Sequence, residues 1–305
     1  MRRAVLMLAL LLAVGGAALA VTHARSDAKL RPCTDTGDRF TKLQLMNHLS
    51  YAPHILVLGS SRARGAMPAT VEELTGGREF NAGVRGGGAA DEYVFTRLLA
   101  QRFPDAKPAY LIFVDVSIAS DGVNPDMADE PLARPFLGKD ASPAKSACAN
   151  NHLYTADGGL AFTGGPDKAQ RAQLVAAGVA ETLPGIPADS ATPRYISPAS
   201  TAYFQKLLRF MNAQGATPVI VLNPIYPTIL AAREKYGFPE LKAAKVYIAW
   251  LHERYHFIFL NCEDIRTWGG KASDFWNKDH IDRANMNRLL GYVVHHSDGV
   301  LLAKR

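Results

Sequence analysis

Four short apolar runs punctuate the chain, at residues 54–58, 110–116, 218–222 and 257–260, and Glu79-Phe80-Asn81-Ala82-Gly83 reads as a further, shorter strand. The longest, Tyr110-Leu111-Ile112-Phe113-Val114, does not alternate with polar residues, the pattern of a parallel strand buried on both faces. The intervening stretches carry the other period. Tyr93, Val94, Leu98 and Leu99 recur at helical spacing within 89–103. Residues 201–214 repeat the pattern and stop at Gly215, a helix-terminating position. Helical patterns also cover 240–255 and 283–295.

Strands alternating with helices imply crossover connections and a parallel sheet covered on both faces. The expected fold is therefore α/β, a three-layer α/β/α sandwich around a five-stranded parallel sheet. Residues 117–197 depart from this rhythm: they are rich in Gly, Pro, Asp and Ala, with one helical piece near 167–181. A stretch that long reads as a binding insertion or lid after strand three rather than a plain connection.

Residues 1–25 are different again. Arg2 and Arg3 precede an apolar run from Ala4 to Thr22, and Ala18-Leu19-Ala20 offers a small-residue exit. This is the make-up of a secretory signal, and the run is also long enough to serve as a retained N-terminal membrane anchor. The expected organisation is an export segment over 1–25 followed by one α/β domain over 26–305. Both alternatives put the body outside the cytoplasm, in the periplasm or held at the outer face of the cytoplasmic membrane.

The charge balance then changes meaning. The whole chain carries +6, but Arg2, Arg3 and Arg25 lie in the export segment, which has no acid, so the body carries +3. That modest excess gives no footing for a nucleic-acid partner. Three cysteines cannot frame a disulfide scaffold. Cys33 and Cys148, both in polar irregular segments, are the expected pair if one forms, and Cys262 reads as a packed thiol at the end of a strand.

Ligands of open α/β sheets bind outside the carboxyl ends of the strands. There the chain delivers Gly59-Ser60-Ser61, then Asn81-Ala82-Gly83, Asp115-Val116-Ser117, Asn223-Pro224 and, after the last strand, Asp274 to His280. A serine after the first strand and a histidine after the last can meet on that edge, as nucleophilic acyl chemistry requires.

The blocks Leu56-Val57-Leu58-Gly59-Ser60-Ser61-Arg62, Asn81-Ala82-Gly83 and His280 resemble those of the SGNH (GDSL-type) hydrolases. The likeness is nearest to the envelope branch containing teichoic-acid D-alanine-transfer and alginate O-acetylation proteins, and it spans about 54–291 without the insertion. It implies a flavodoxin-like SGNH fold, Ser61 as nucleophile, His280 as base, and the N–H groups of Ser61 and Gly83 as oxyanion donors. It implies no cofactor and no metal, and a substrate that is an acyl ester of a cell-envelope carbohydrate or lipid.

Two positions depart from the family. Its third block is replaced by Asp115-Val116-Ser117, removing an asparagine amide from the oxyanion site unless Ser117 substitutes; one such donor is worth ~10²–10³ in rate. Asn277 occupies the place of the triad acid, three residues before His280. Asp274 could supply a carboxylate if the loop curls, whereas Asp279, adjacent to the histidine, points away. Arg62 and Arg85 flank the expected pocket and could grip an anionic substrate group.

These departures keep two other readings in view. One is an SGNH-fold envelope binding or assembly protein without activity. The other is a zinc hydrolase, because His252-Glu253-Arg254-Tyr255-His256 matches H-E-x-x-H. Against zinc, an apolar strand begins at Phe257, placing His256 at or past the helix end and at the opposite edge of the sheet from Ser61. Ser142-Pro143-Ala144-Lys145 matches S-x-x-K but lacks the accompanying motifs, and no phosphate-binding glycine motif occurs.

Overall fold

In the computed structural model, the residues described are 35–118, 127, 131–137, 153–161, 166–191 and 197–303. The expected export segment and the expected Cys33–Cys148 pair lie outside them. All five expected strands form: β1 (Ile55–Gly59), β2 (Glu79–Asn81), β3 (Ala109–Val114), β4 (Val219–Leu222) and β5 (Ile258–Asn261). They make one all-parallel sheet in the order β2-β1-β3-β4-β5.

Alternate residues of the central strands feed two cores, as the period-2 pleat dictates. Leu56, Leu58, Ile112, Val114, Ile220 and Leu222 point one way. They meet α1 (Asp35–Asn47), α3 (Ala89–Arg102), α6 (Pro198–Ala213) and α8 (Pro239–His252). Ile55, Val57, Leu111, Phe113, Val219 and Val221 face α2 (Pro68–Thr75), α4 (Lys168–Thr182) and α9 (Arg283–His295). The molecule is thus a three-layer α/β/α sandwich. A short α5 (Ile186–Ala191) and α7 (Pro227–Lys235) complete the helices used below. Cys262 is fully buried and unpaired, and burial pushes its thiol up to about 12.

Helices α1, α2 and α7 add to the elements expected from hydrophobic spacing. Helix α1 hides because its buried side mixes charge with apolar residues: Asp38, Arg39 and Lys42 are fully buried alongside Leu43 and Met46. Lys42 Nζ donates to the carbonyls of Asn81 and Gly158, so it ties α1 to β2 and to a turn of the insertion. That turn is closed by a Tyr154–Leu160 bridge, and its Asp157 carbonyl accepts the Asn81 N–H at 2.9 Å. The insertion therefore covers the edge strand β2, whose backbone would otherwise be open to pairing.

The helix expected over 240–255 ends earlier, at His252. The chain must leave the helix there because Phe257 is drawn into the core and sheet pairing starts at Ile258. Among the described residues no helix is long and apolar enough to cross a membrane.

Candidate active site

The strand order reverses direction at β1, with β2 on one side and β3 on the other. This switch point opens a crevice at the carboxyl edge. Gly59 turns the chain out of β1 with φ at +135°, and a Cβ there would lie 2.5 Å from the Phe113 carbonyl oxygen. Only glycine fits, and the turn presents Ser60 and Ser61 at the top of the sheet.

His280 arrives from the far side. Strands β1 and β5 are three spacings apart, about 14 Å at the usual interstrand distance. The connection from β5 to α9 spans this gap, pinned by buried Ile265, Trp268 and Phe275. Phe275 packs edge-on against Tyr226 at 5.2 Å. A small hairpin, closed by the Phe275–Ile281 bridge and the Trp276 N–H to the His280 carbonyl at 2.7 Å, then holds the histidine. His280 thus precedes α9 rather than opening it; the N-cap is Asp282, which accepts the N–H groups of Ala284 and Asn285.

The expected pair forms. Ser61 Oγ is 2.8 Å from His280 Nε2. His280 Nδ1 is 3.0 Å from Asn277 Oδ1, which also accepts the backbone N–H groups of Asp279 and His280 at 2.9 Å each. Those two backbone donors require an acceptor, so the amide oxygen, not the nitrogen, faces the ring. Nδ1 must then carry the proton, leaving Nε2 free to accept from the serine hydroxyl. Burial lowers the imidazole pKa below its ordinary value, helped by the Arg62 guanidinium and opposed by Asp279 and Asp115.

Asp274 is not part of this relay. Its carboxylate accepts from Arg288 Nη1 at 2.7 Å and Ser273 Oγ at 2.8 Å. Burial alone would raise its pKa, but those two hydrogen bonds and the charge of Arg288 outweigh it and hold the carboxyl below its usual range. The loop does not curl it toward His280; it curls Asn277 there instead.

The oxyanion assignment also shifts. The Gly83 N–H donates to Asn81 Oδ1 at 2.9 Å and is buried. Gly83 is required for another reason: a Cβ there would press on Ala63 Cβ at 2.9 Å and on the Arg64 nitrogen at 3.1 Å, beneath the Ser61 turn. Three later glycines reach the site instead. Gly86, Gly87 and Gly88 line a cavity of about 420 Å³ with Ser60, Ser61 and His280. The N–H groups of Gly87 and Gly88 are taken by Val84 and Asp91. Those of Ser61 and Gly86 have no partner among the described residues. Arg39 fixes this loop from below, donating to the Gly86 carbonyl at 2.9 Å and pairing with Asp91 at 2.5 Å.

Of the two arginines, only Arg62 reaches the cavity, and it is not free to grip an anion unopposed. Its guanidinium lies 3.0 Å from Asp115 and 3.6 Å from Asp279. Arg85 pairs with buried Asp38 at 3.4 Å, away from the cavity wall. Asp115 was expected at this edge but with no role of its own. It accepts Ser60 Oγ and Asn223 Nδ2, both at 3.0 Å, as well as Arg62, tying together the ends of β1, β3 and β4. Ser117 lines the cavity. A polar residue directly after each of two adjacent central strands was the available signal for Asp115 and Asn223.

The zinc reading loses its geometry. With α8 ending at His252, that ring packs on Phe257 at 4.3 Å, and the His256 backbone is held by the Asn212 side chain. Among the described residues no group of three metal-capable side chains occurs. No protein-family model matches the chain, and no curated protein matches it.

Proposed function

We propose that this protein is an exported serine esterase or O-acyltransferase acting on acyl esters of a cell-envelope carbohydrate or lipid. The observation that carries this reading is the continuous Ser61–His280–Asn277 relay, 2.8 Å and 3.0 Å, opening into one cavity. The resemblance of its blocks to the SGNH hydrolases supports it, and the apolar segment at 4–22 supports export and a membrane-proximal setting.

In this scheme Ser61 Oγ attacks the acyl carbon while its proton passes to His280 Nε2. The free N–H groups of Ser61 and Gly86 meet the oxyanion. The alcohol departs with the proton from Nε2, leaving an acyl ester on Ser61. Water, or a hydroxyl of an acceptor, then loses its proton to the same nitrogen and releases the acyl group. Asn277 keeps the ring in the correct tautomer but contributes no charge to stabilise imidazolium. No step calls for a metal or cofactor.

One observation favours a binding protein as the second reading. The Asp115 carboxylate stands in the cavity wall, in the segment that replaces the family's amide-bearing block, and a negative group there opposes an oxyanion unless Arg62 offsets it. A fluorophosphonate probe on the full chain separates the two. Labelling abolished by Ser61→Ala supports the esterase. Folded wild-type protein that neither labels nor turns over any ester would favour the binder.

A further inference from the structure

Acyl chemistry at Ser61 accounts for the 420 Å³ cavity but not for a second one of about 260 Å³ beside it. The two share Arg62, Asp115, Ser117 and Asp279 as a common wall. Beyond that wall the second cavity is formed by Arg233 and Glu240 from α7 and α8, Lys278 from the histidine hairpin, and Thr182 at the end of α4. Ile225 and Ile229, both nearly buried, supply an apolar patch.

The charges of this cavity cancel: Arg62, Arg233 and Lys278 stand against Asp115, Asp279 and Glu240. They are also engaged with one another or nearby. Arg62 pairs with both aspartates, and Arg233 lies 3.2 Å from Glu240. Lys278 Nζ donates to Thr182 Oγ1 at 2.9 Å and lies 3.8 Å from Glu181. An anionic ligand would have to face three carboxylates and compete for cations already paired. A hydrocarbon tail would strand these groups without water. A hydroxyl both donates and accepts, so it can insert beside paired charges without displacing either partner.

We propose that the second cavity binds the alcohol portion of the ester and that this portion is an uncharged polyhydroxyl compound, a neutral saccharide. The isoleucine patch suits the C–H face of a sugar ring. The proposal rests on the serine-ester reading for the direction of the bond, since the leaving alcohol must extend from Ser61 across the shared wall. It also inverts the role expected of Arg62. Held by Asp115 and Asp279, Arg62 serves as a hydrogen-bond donor in a balanced wall rather than as an anion clamp.

The test uses the full chain with p-nitrophenyl acetate, an O-acetylated xylo-oligosaccharide and an O-acetylated oligogalacturonate. The wild type is expected to favour the neutral oligosaccharide over the acidic one by at least tenfold in kcat/KM. Thr182→Trp, which fills the second cavity, is expected to lower kcat/KM for the neutral oligosaccharide at least tenfold more than for the phenyl ester. The near-isosteric Glu240→Gln leaves the cavity net positive and should shrink the neutral-over-acidic preference severalfold, whereas Arg233→Gln should widen it. A wild-type preference for the acidic ester, or preferences unmoved by all three variants, overturns the proposal. If no ester is turned over, the serine-ester reading fails separately. Calorimetric titration with the deacetylated oligosaccharides then decides the cavity: neutral binding lost in Thr182→Trp supports it, and no binding of any neutral sugar overturns it.

Discussion

Asn277 Oδ1 gathers three donors, the N–H groups of Asp279 and His280 and the Nδ1–H of His280, within 3.0 Å. The side chain thus folds its own turn and orients the base with the same oxygen. Asn277→Asp preserves the acceptor and adds a charge beside the imidazole. The acid limb of kcat/KM is expected to move up by about one pH unit or more, because a nearby opposite charge favours the protonated ring. At pH 8, where the base is neutral in both proteins, kcat should rise about tenfold as imidazolium gains a counter-charge. Asn277→Ala loses the acceptor and the turn together, and kcat should fall by ~10²–10⁴. A pH–rate series on the three proteins checks both.

The wild-type profile follows from the environment of His280. Burial first and Arg62 second disfavour its protonated form. The neutral ring is the working base, so activity is lost as pH falls through a pKa lying below the ordinary 6.5. Arg62→Gln removes an opposing positive charge and should shift the acid limb upward. Asp279→Asn removes a supporting negative charge and should shift it downward. Equal limbs in all three proteins would contradict this account.

Arg39 positions the glycine loop of the site without touching it from the solvent side. It is fully buried, pairs with Asp91 at 2.5 Å and 3.1 Å, and donates to the Gly86 carbonyl. Burial raises the Asp91 pKa, and Arg39 is the main force holding it down. Arg39→Met would leave that carboxylate uncompensated, at a cost of about 3–5 kcal/mol in urea denaturation. Arg39→Met with Asp91→Leu should recover part of the stability but not the activity, because the Gly86–Gly88 loop loses both its tether and its cap.

The parts of this architecture visible in sequence were those governed by local pattern. Non-alternating apolar runs marked four of the five strands, and the order of elements brought Ser61 and His280 to one edge. What escaped depended on where a polar side chain turned after folding. Gly83 and Gly86 sit in one glycine-rich run, and spacing could not show that Asn81 folds back onto the Gly83 N–H. The choice between Asn277 and Asp274 turned on Arg288, a residue of α9 fourteen positions away from the aspartate it captures. Helix α1 was invisible because Asp38, Arg39 and Lys42 look like a solvated face and are instead buried, paired with Arg85, Asp91 and the carbonyls of Asn81 and Gly158.

That buried group offers a stability test remote from the site. Glu79, on β2, is fully buried, and both of its carboxylate oxygens lack a hydrogen-bond partner among the described residues. Burial raises its pKa well above 4.5, with Lys42 opposing. The folded protein therefore holds a proton that the unfolded chain has lost, and stability falls as pH rises from about 4.5 through the raised value. Lys42 runs the other way: burial lowers it from 10.5 to about 7, so over that window the unfolded chain holds the extra proton and stability rises with pH. Glu79→Gln deletes the first slope and, by removing a charge that supports protonated Lys42, lowers the Lys42 pKa further. It is expected to match wild type near pH 4 and to exceed it increasingly toward pH 7, by about 1–2 kcal/mol, the scale of an unsatisfied buried polar group. Urea denaturation at pH 4, 5.5, 7 and 9 measures this, and a variant no more stable than wild type at pH 7 would show that Lys42 already compensates the carboxylate in full.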